Sequence, residues 1–122
     1  LDEAVEYAKV RQQFGKPIAN LQAIQMIIAD IAMQTEAARQ LVYHTAELVD
    51  AKMPYSKYAS MSKCMGGDIA MKVSIDALQV LGGFGYMKEY PLEKLVRDAK
   101  ILQIYEGTNQ IQRMIIAGEV LR

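Results

Sequence analysis

Apolar residues return at helical spacing along almost the whole chain. Leu1, Val5 and Ala8 fall on one side of residues 1 to 13, with Asp2, Glu3, Glu6 and Lys9 largely elsewhere, which predicts an amphipathic helix. Phe14-Gly15-Lys16-Pro17 stops it, because glycine frees the backbone and proline disfavours helix at the residue before it. Asn20 is placed to cap a second helix from Leu21 to about Asp50, whose stripe is Leu21, Ile24, Ile28, Ile31, Ala38, Leu41, Val42 and Leu48. Met53-Pro54 breaks that pattern. A third helix follows from about Tyr55 to Leu81, striped by Met61, Met65, Ile69, Val73, Ala77 and Val80.

Gly66-Gly67 sits inside the third helix, where each glycine costs up to about 1 kcal/mol against alanine. Close approach of a neighbouring helix is the favoured reason, and a kink is the other. Gly82-Gly83-Phe84-Gly85 ends the helix, Pro91 opens a short one from Leu92 to about Ala99, and a last helix begins near Thr108 with Ile111, Ile115, Gly118 and Leu121 on one face. No stretch alternates as a β-strand does. The pattern therefore predicts an all-α antiparallel bundle of two long helices plus shorter ones, as one domain over residues 1–122.

Composition narrows the function classes. At 52% hydrophobic residues the chain can bury a core, and 14 basic against 14 acidic residues leave no net field toward nucleic acid or an anionic membrane. No apolar run is long enough for a membrane span. One cysteine excludes an internal disulfide, and one cysteine with one histidine cannot by themselves complete a zinc site, so no metal is expected. Leu1 opens directly into helical spacing with no initiator methionine, which reads as a piece of a longer protein.

Most candidate residues also have a plain reading. His44 lacks the glutamate three residues before it that a di-iron bundle needs and is expected at the surface. Cys64 reads as a small core residue, and the eight methionines as core filler with some lining a pocket. Gly82-Gly83-Phe84-Gly85-Tyr86 follows a helix, so it is no dinucleotide fingerprint, and Arg11 could simply favour a helix C-terminus. Glu106 sits between Tyr105 and Gly107 where a loop turns into the last helix. It could present a carboxylate to a cavity, or merely favour the helix N-terminus with Thr108 or Asn109 as cap.

Taken together these segments resemble a known family. Arg11-Gln12-Gln13-Phe14-Gly15-Lys16-Pro17-Ile18, Leu21-Gln22, Gln79 to Tyr86, Tyr90 to Lys100, and Ile104 to Arg113 are similar, in order, to the C-terminal helical domain of acyl-CoA dehydrogenases. The resemblance spans the chain and implies two absent domains, an N-terminal helical one and a middle β-domain. It implies FAD as cofactor, with Arg11 and Gln13 at its diphosphate and Phe14, Leu21 and Gln22 bordering the flavin. It further implies Gln79, Val80, Leu81, Gly82 and Gly83 as the segment that touches the dinucleotide of a neighbouring subunit, and Thr108, Asn109 and Gln110 as further cofactor contacts. Glu106 matches the family's catalytic base. By the same resemblance, Tyr105 and Gly107 would lie beside the acyl-CoA substrate, and the Glu106 backbone N–H would face the thioester oxygen.

The resemblance also implies an electron-transfer flavoprotein as acceptor and a homo-oligomer, dimer or tetramer. The compartment would be the cytoplasm in a bacterium or the mitochondrial matrix in a eukaryote. Two rival readings are an acyl-CoA oxidase of the same fold and a helical interaction module that has lost catalysis.

Overall fold

The computed structural model describes residues 1–122. Five α-helices carry the chain: α1 (Asp2–Val10), α2 (Gln22–Asp50), α3 (Ser56–Leu81), α4 (Leu92–Ile101) and α5 (Asn109–Val120). Short 3-10 helices at Ile18–Asn20 and Gly82–Tyr86 fill two of the connections. The all-α bundle expected from the periodicity is what forms. No helix is long and apolar enough to cross a membrane.

Helix α3 is the hub, with α1, α2, α4 and α5 all packed along it. The turn over residues 51–55 returns the chain so that α2 and α3 run antiparallel, stapled near the turn by a hydrogen bond between Thr45 Oγ1 and Ser62 Oγ at 2.7 Å, with the hydroxyl that accepts in that bond left to donate to the Leu41 carbonyl. The principal core sits toward the other end. There Ala4 and Ala8 of α1, Ile18, Ile31 of α2, Ala77, Val80 and Leu81 of α3, and Leu92 of α4 close on one another. The small alanines let α1 lie close against α3. Gly67 does the same at mid-helix: a Cβ there would stand 3.0 Å from the Leu102 carbonyl oxygen and 3.3 Å from Asn109 Nδ2. Close approach, not a kink, explains this glycine; the neighbour is the segment leaving α4, and Gly66 faces open space.

Several expectations are corrected. A two-stranded antiparallel hairpin, β1 (Gln12–Gln13) and β2 (Lys16–Pro17), pairs Gln12 with Pro17 and Gln13 with Lys16. Its two-residue turn needs both central residues at positive φ, and Phe14 (φ 52) and Gly15 (φ 75) supply them. A phenylalanine is not a typical turn signal there, which hid the hairpin from the pattern. Asn20 lies within the 3-10 turn, and α2 starts after Leu21 with no side-chain cap. The methionines are not core filler, since Met26, Met33, Met53, Met65, Met87 and Met114 are all exposed. Cys64 is buried as expected, and His44 stands at the surface edge-on to Tyr58.

Helix α5 is turned opposite to its apolar periodicity. Ile111, Met114, Ile115 and Leu121 are exposed, while Asn109 and Gln112 are buried against α3. Only 16 of 122 residues are buried, so this outward face belongs to a bundle whose apolar surface exceeds what one copy covers.

Candidate active site

Most of the residues singled out from sequence gather at two places along α3. The first is an open cleft of about 510 Å³ at the C-terminal end of α3, walled by Arg11 and Gln13 on one side and Gln79 to Gly83 on the other. The chain folds this way locally because Arg11 ends α1 with its N–H donating to the Tyr7 carbonyl at 2.9 Å, while its own carbonyl accepts from the Ile18 N–H at 2.8 Å. The backbone of Arg11 is thus held on both sides. Its guanidinium lies 5.0 Å from the centroid of the Phe84 ring, a cation–π arrangement, and Phe84 packs with Tyr7 and Tyr90 in a three-ring cluster.

Gly82 turns the chain at φ 59, and neither Gly82 nor Gly83 would meet anything with an added Cβ. Bare backbone therefore faces the cleft beside a fixed cation and the amides of Gln13 and Gln79, a donor set that fits the diphosphate of a flavin dinucleotide. Phe14 projects from the hairpin tip, 86% exposed. Gln22 is exposed at the first turn of α2, and Leu21 packs half-buried against the core, so neither is part of the cleft wall.

The second place is the corner between α4 and α5. Glu106 (φ 51) and Gly107 (φ 89) are consecutive left-handed residues, a conformation that an L-glutamate adopts only when its surroundings enforce it. Both carbonyls are held. The Gly107 oxygen accepts from Lys63 Nζ at 2.6 Å, and the Glu106 oxygen accepts from Gln112 Nε2 at 3.3 Å. The N–H groups of Glu106, Gly107 and Thr108 have no partner within the chain. They form a run of free donors ahead of α5, which Thr108 caps by accepting from the Ile111 N–H at 3.3 Å. The Glu106 carboxylate and Tyr105 are exposed.

Beneath the corner lies a polar network that local sequence did not reveal. Asn109 Oδ1 accepts from Lys63 at 2.9 Å, and its Nδ2 donates to the Cys64 carbonyl at 3.0 Å and to Asp68 at 2.9 Å. Gln103 and Arg113 also donate to Asp68. Partial burial pushes the Asp68 carboxyl up, but hydrogen bonds from Arg113, Asn109 and Gln103, with the charge of Arg113, outweigh it and hold the group below the usual carboxylate range. The Asn109 side chain, which the resemblance placed at the cofactor, is spent inside this network. Thr108 and Gln110 border a small depression of about 320 Å³ above it. These partners lie 35 to 46 residues apart in sequence, beyond the reach of any local motif.

Matched against the model of the family described as acyl-CoA dehydrogenase, C-terminal domain, residues 1–121 align, and the chain belongs to that family. It is 54% identical over 121 residues to an acyl-CoA dehydrogenase of Bacillus subtilis, covering 99% of this chain and 32% of the relative. The CarC subunit of the caffeyl-CoA reductase-Etf complex of Acetobacterium woodii is 49% identical, over 100% of this chain and 32% of its own length. The solved structure of butyryl-CoA dehydrogenase from Megasphaera elsdenii superposes with a TM-score of 0.97 at 48% identity, over 99% of this chain and 32% of that one. The chain thus spans about a third of the length of the relatives it matches.

Proposed function

We propose that this chain is the C-terminal part of an FAD-dependent enzyme that dehydrogenates an acyl-CoA thioester to the trans-2-enoyl-CoA, with Glu106 taking the α-proton. The observation that carries this reading is the construction of the Glu106 corner. Its carbonyls are tied down and its N–H groups left free, so the carboxylate and a run of donors can face one ligand together. A thioester oxygen accepting from the Glu106 N–H would draw charge from the α-carbon and make its proton more acidic. The α-C–H bond would break toward a Glu106 oxygen, its electron pair entering the new double bond as hydride leaves the β-carbon. Flavin, when bound, supplies the acceptor for that hydride.

The same groups serve the reverse direction, with Glu106 returning the proton, which fits a family that also includes a relative named as a reductase. That relative's name supports an electron-transfer flavoprotein as redox partner. Glu106 is exposed in this chain, and the rest of the protein would supply the enclosure that desolvates the carboxylate and raises its basicity.

The layout supports a site shared between two copies. The cleft at Gln79–Gly83 and the Lys63 anchor of the Glu106 corner are sixteen residues apart on α3, about 24 Å at 1.5 Å per residue. The ribityl chain between a flavin ring and its diphosphate is much shorter than that. The cleft would therefore hold the diphosphate of a flavin whose ring lies at the Glu106 of a partner copy, making a homo-oligomer part of the active site.

Replacing Glu106 by glutamine in the full-length enzyme tests the assignment. Flavin and acyl-CoA should still bind, while anaerobic bleaching of the flavin band by acyl-CoA slows by about 10⁴-fold or more, the upper end for loss of a general base. Bleaching within a few-fold of the parent would refute Glu106 as the base.

A further inference from the structure

We propose that Lys63 is a positioning residue for Glu106, holding the α4–α5 corner in the left-handed geometry that aims both its carboxylate and its free N–H group. The inference rests on the assignment of Glu106 as the base and extends it to a residue on another helix, 43 positions earlier in the chain.

Lys63 has an unusual set of partners for a lysine. Its ammonium donates to the Gly107 carbonyl at 2.6 Å and to Asn109 Oδ1 at 2.9 Å, and no carboxylate forms an ion pair with it. Its charge is thus spent on two neutral oxygens that flank Thr108. Every other lysine with a side-chain hydrogen bond reaches only three or four residues along its own helix or its end, whereas this one crosses between α3 and the start of α5. The same face of α3 carries Cys64, whose carbonyl takes the Asn109 amide, and Gly67, whose missing side chain lets the Leu102 backbone come close. The corner is drawn down onto α3, with Lys63 as its charged link.

The hold acts where strain is stored. Glu106 and Gly107 both have positive φ, and Gln112 Nε2 fills the space that a Cβ on residue 107 would need, at 2.8 Å. Without the bond to the Gly107 oxygen, the peptide between Gly107 and Thr108 loses its anchor on α3, leaving the corner tied only through Gln112 on the Glu106 oxygen, and the glutamate can then relax toward negative φ. That relaxation swings the Cβ and the N–H of Glu106 away from a common target. A shift of about 1 Å in a reacting group can cost on the order of 100-fold in rate. Binding, which draws on the rest of the substrate, should change little.

The test uses the full-length flavin-loaded enzyme with Lys63→Met, Lys63→Arg and Glu106→Gln compared with wild type. Of butyryl-, octanoyl- and palmitoyl-CoA, the one that reduces the wild-type flavin fastest serves as probe. Exchange of its α-hydrogens in D2O under anaerobic conditions reports proton removal directly, normalised to bound flavin. Lys63→Met should slow exchange and flavin reduction together by about 10- to 100-fold, with the KM for acyl-CoA nearly unchanged, and Lys63→Arg should recover most of the loss. Should Lys63→Met not load flavin, Lys63→Gln, whose amide cannot reach both acceptors, carries the test by the same criteria. Exchange within about two-fold of wild type in the flavin-loaded Lys63 variant, with Glu106→Gln inactive, overturns the positioning role and leaves the base assignment standing. Wild-type exchange in Glu106→Gln overturns the base assignment and this inference with it.

Discussion

The two ends of the functional surface on α3 are built on opposite principles. At the C-terminal end, the cleft is defined by what is missing: side chains at Gly82 and Gly83, and any ion pair at Arg11, whose guanidinium instead rests on the Phe84 ring. At mid-helix, the Glu106 corner is defined by saturation, with Lys63, Asp68, Gln103, Asn109, Gln112 and Arg113 joined below it. An open wall with one fixed cation suits holding a large anionic cofactor. A strained carboxylate over a tied network suits a proton transfer that depends on direction. The cleft should therefore tolerate small movements that the corner does not.

The largest difference is expected from Arg11→Met in the full-length enzyme. Losing a charge-assisted contact costs about 1.5 to 3 kcal/mol, which is roughly ten- to a hundred-fold in flavin affinity. Titration of the apoprotein with FAD measures it, and unchanged affinity would remove Arg11 from the cofactor site. Next are the paired glycines. Gly67→Val forces atoms into the Leu102 backbone and should cost about 1 to 3 kcal/mol, while Gly66→Ala, facing open space, should gain up to about 1 kcal/mol in helix propensity. Thermal unfolding of this chain reads both, and equal effects would erase the distinction between a packed corner and an open helix face.

A smaller effect comes from acid. The folded Asp68 carboxyl is held below its ordinary value, so the stability it contributes is present above about pH 4 and is lost as the pH falls through its folded value. The Asp68→Asn chain should show a flatter loss of stability below that pH. An identical acid profile would mean that the network does not depend on this charge.

The segments that wall the cleft were singled out through the family resemblance, because each is short and contiguous, although each alone also had a plain structural reading. Arginine at the end of a helix and a glycine pair at the end of another stand in short contiguous segments, and their bare backbone and charge can be read from residue type. Glu106 was singled out in the same way, since beside Gly107 and ahead of the Thr108 cap it could equally have been a charge favouring the helix N-terminus. Its support was not, since Lys63 and Asp68 reach their partners only after α3 and α5 pack. Helix α5 shows the other limit. Periodicity located its apolar stripe at Ile111, Ile115 and Leu121 but not its direction, because that stripe faces out of the chain while Asn109 and Gln112 turn inward. A pattern shows which residues share a face and leaves open whether that face meets its own fold or another copy.

The proposed function has its most direct consequence for two copies: the cleft of one would serve the flavin at the Glu106 corner of the other. Full-length Arg11→Met and Glu106→Gln subunits, co-expressed with different tags and purified as the mixed oligomer without added FAD, test it. Each variant alone should be nearly inactive with acyl-CoA. The mixed oligomer should regain activity, because one of its sites combines an intact Glu106 from one subunit with an intact Arg11 from the other. A mixed oligomer no more active than the average of its two parents would contradict the account and place both residues at the same site of a single chain.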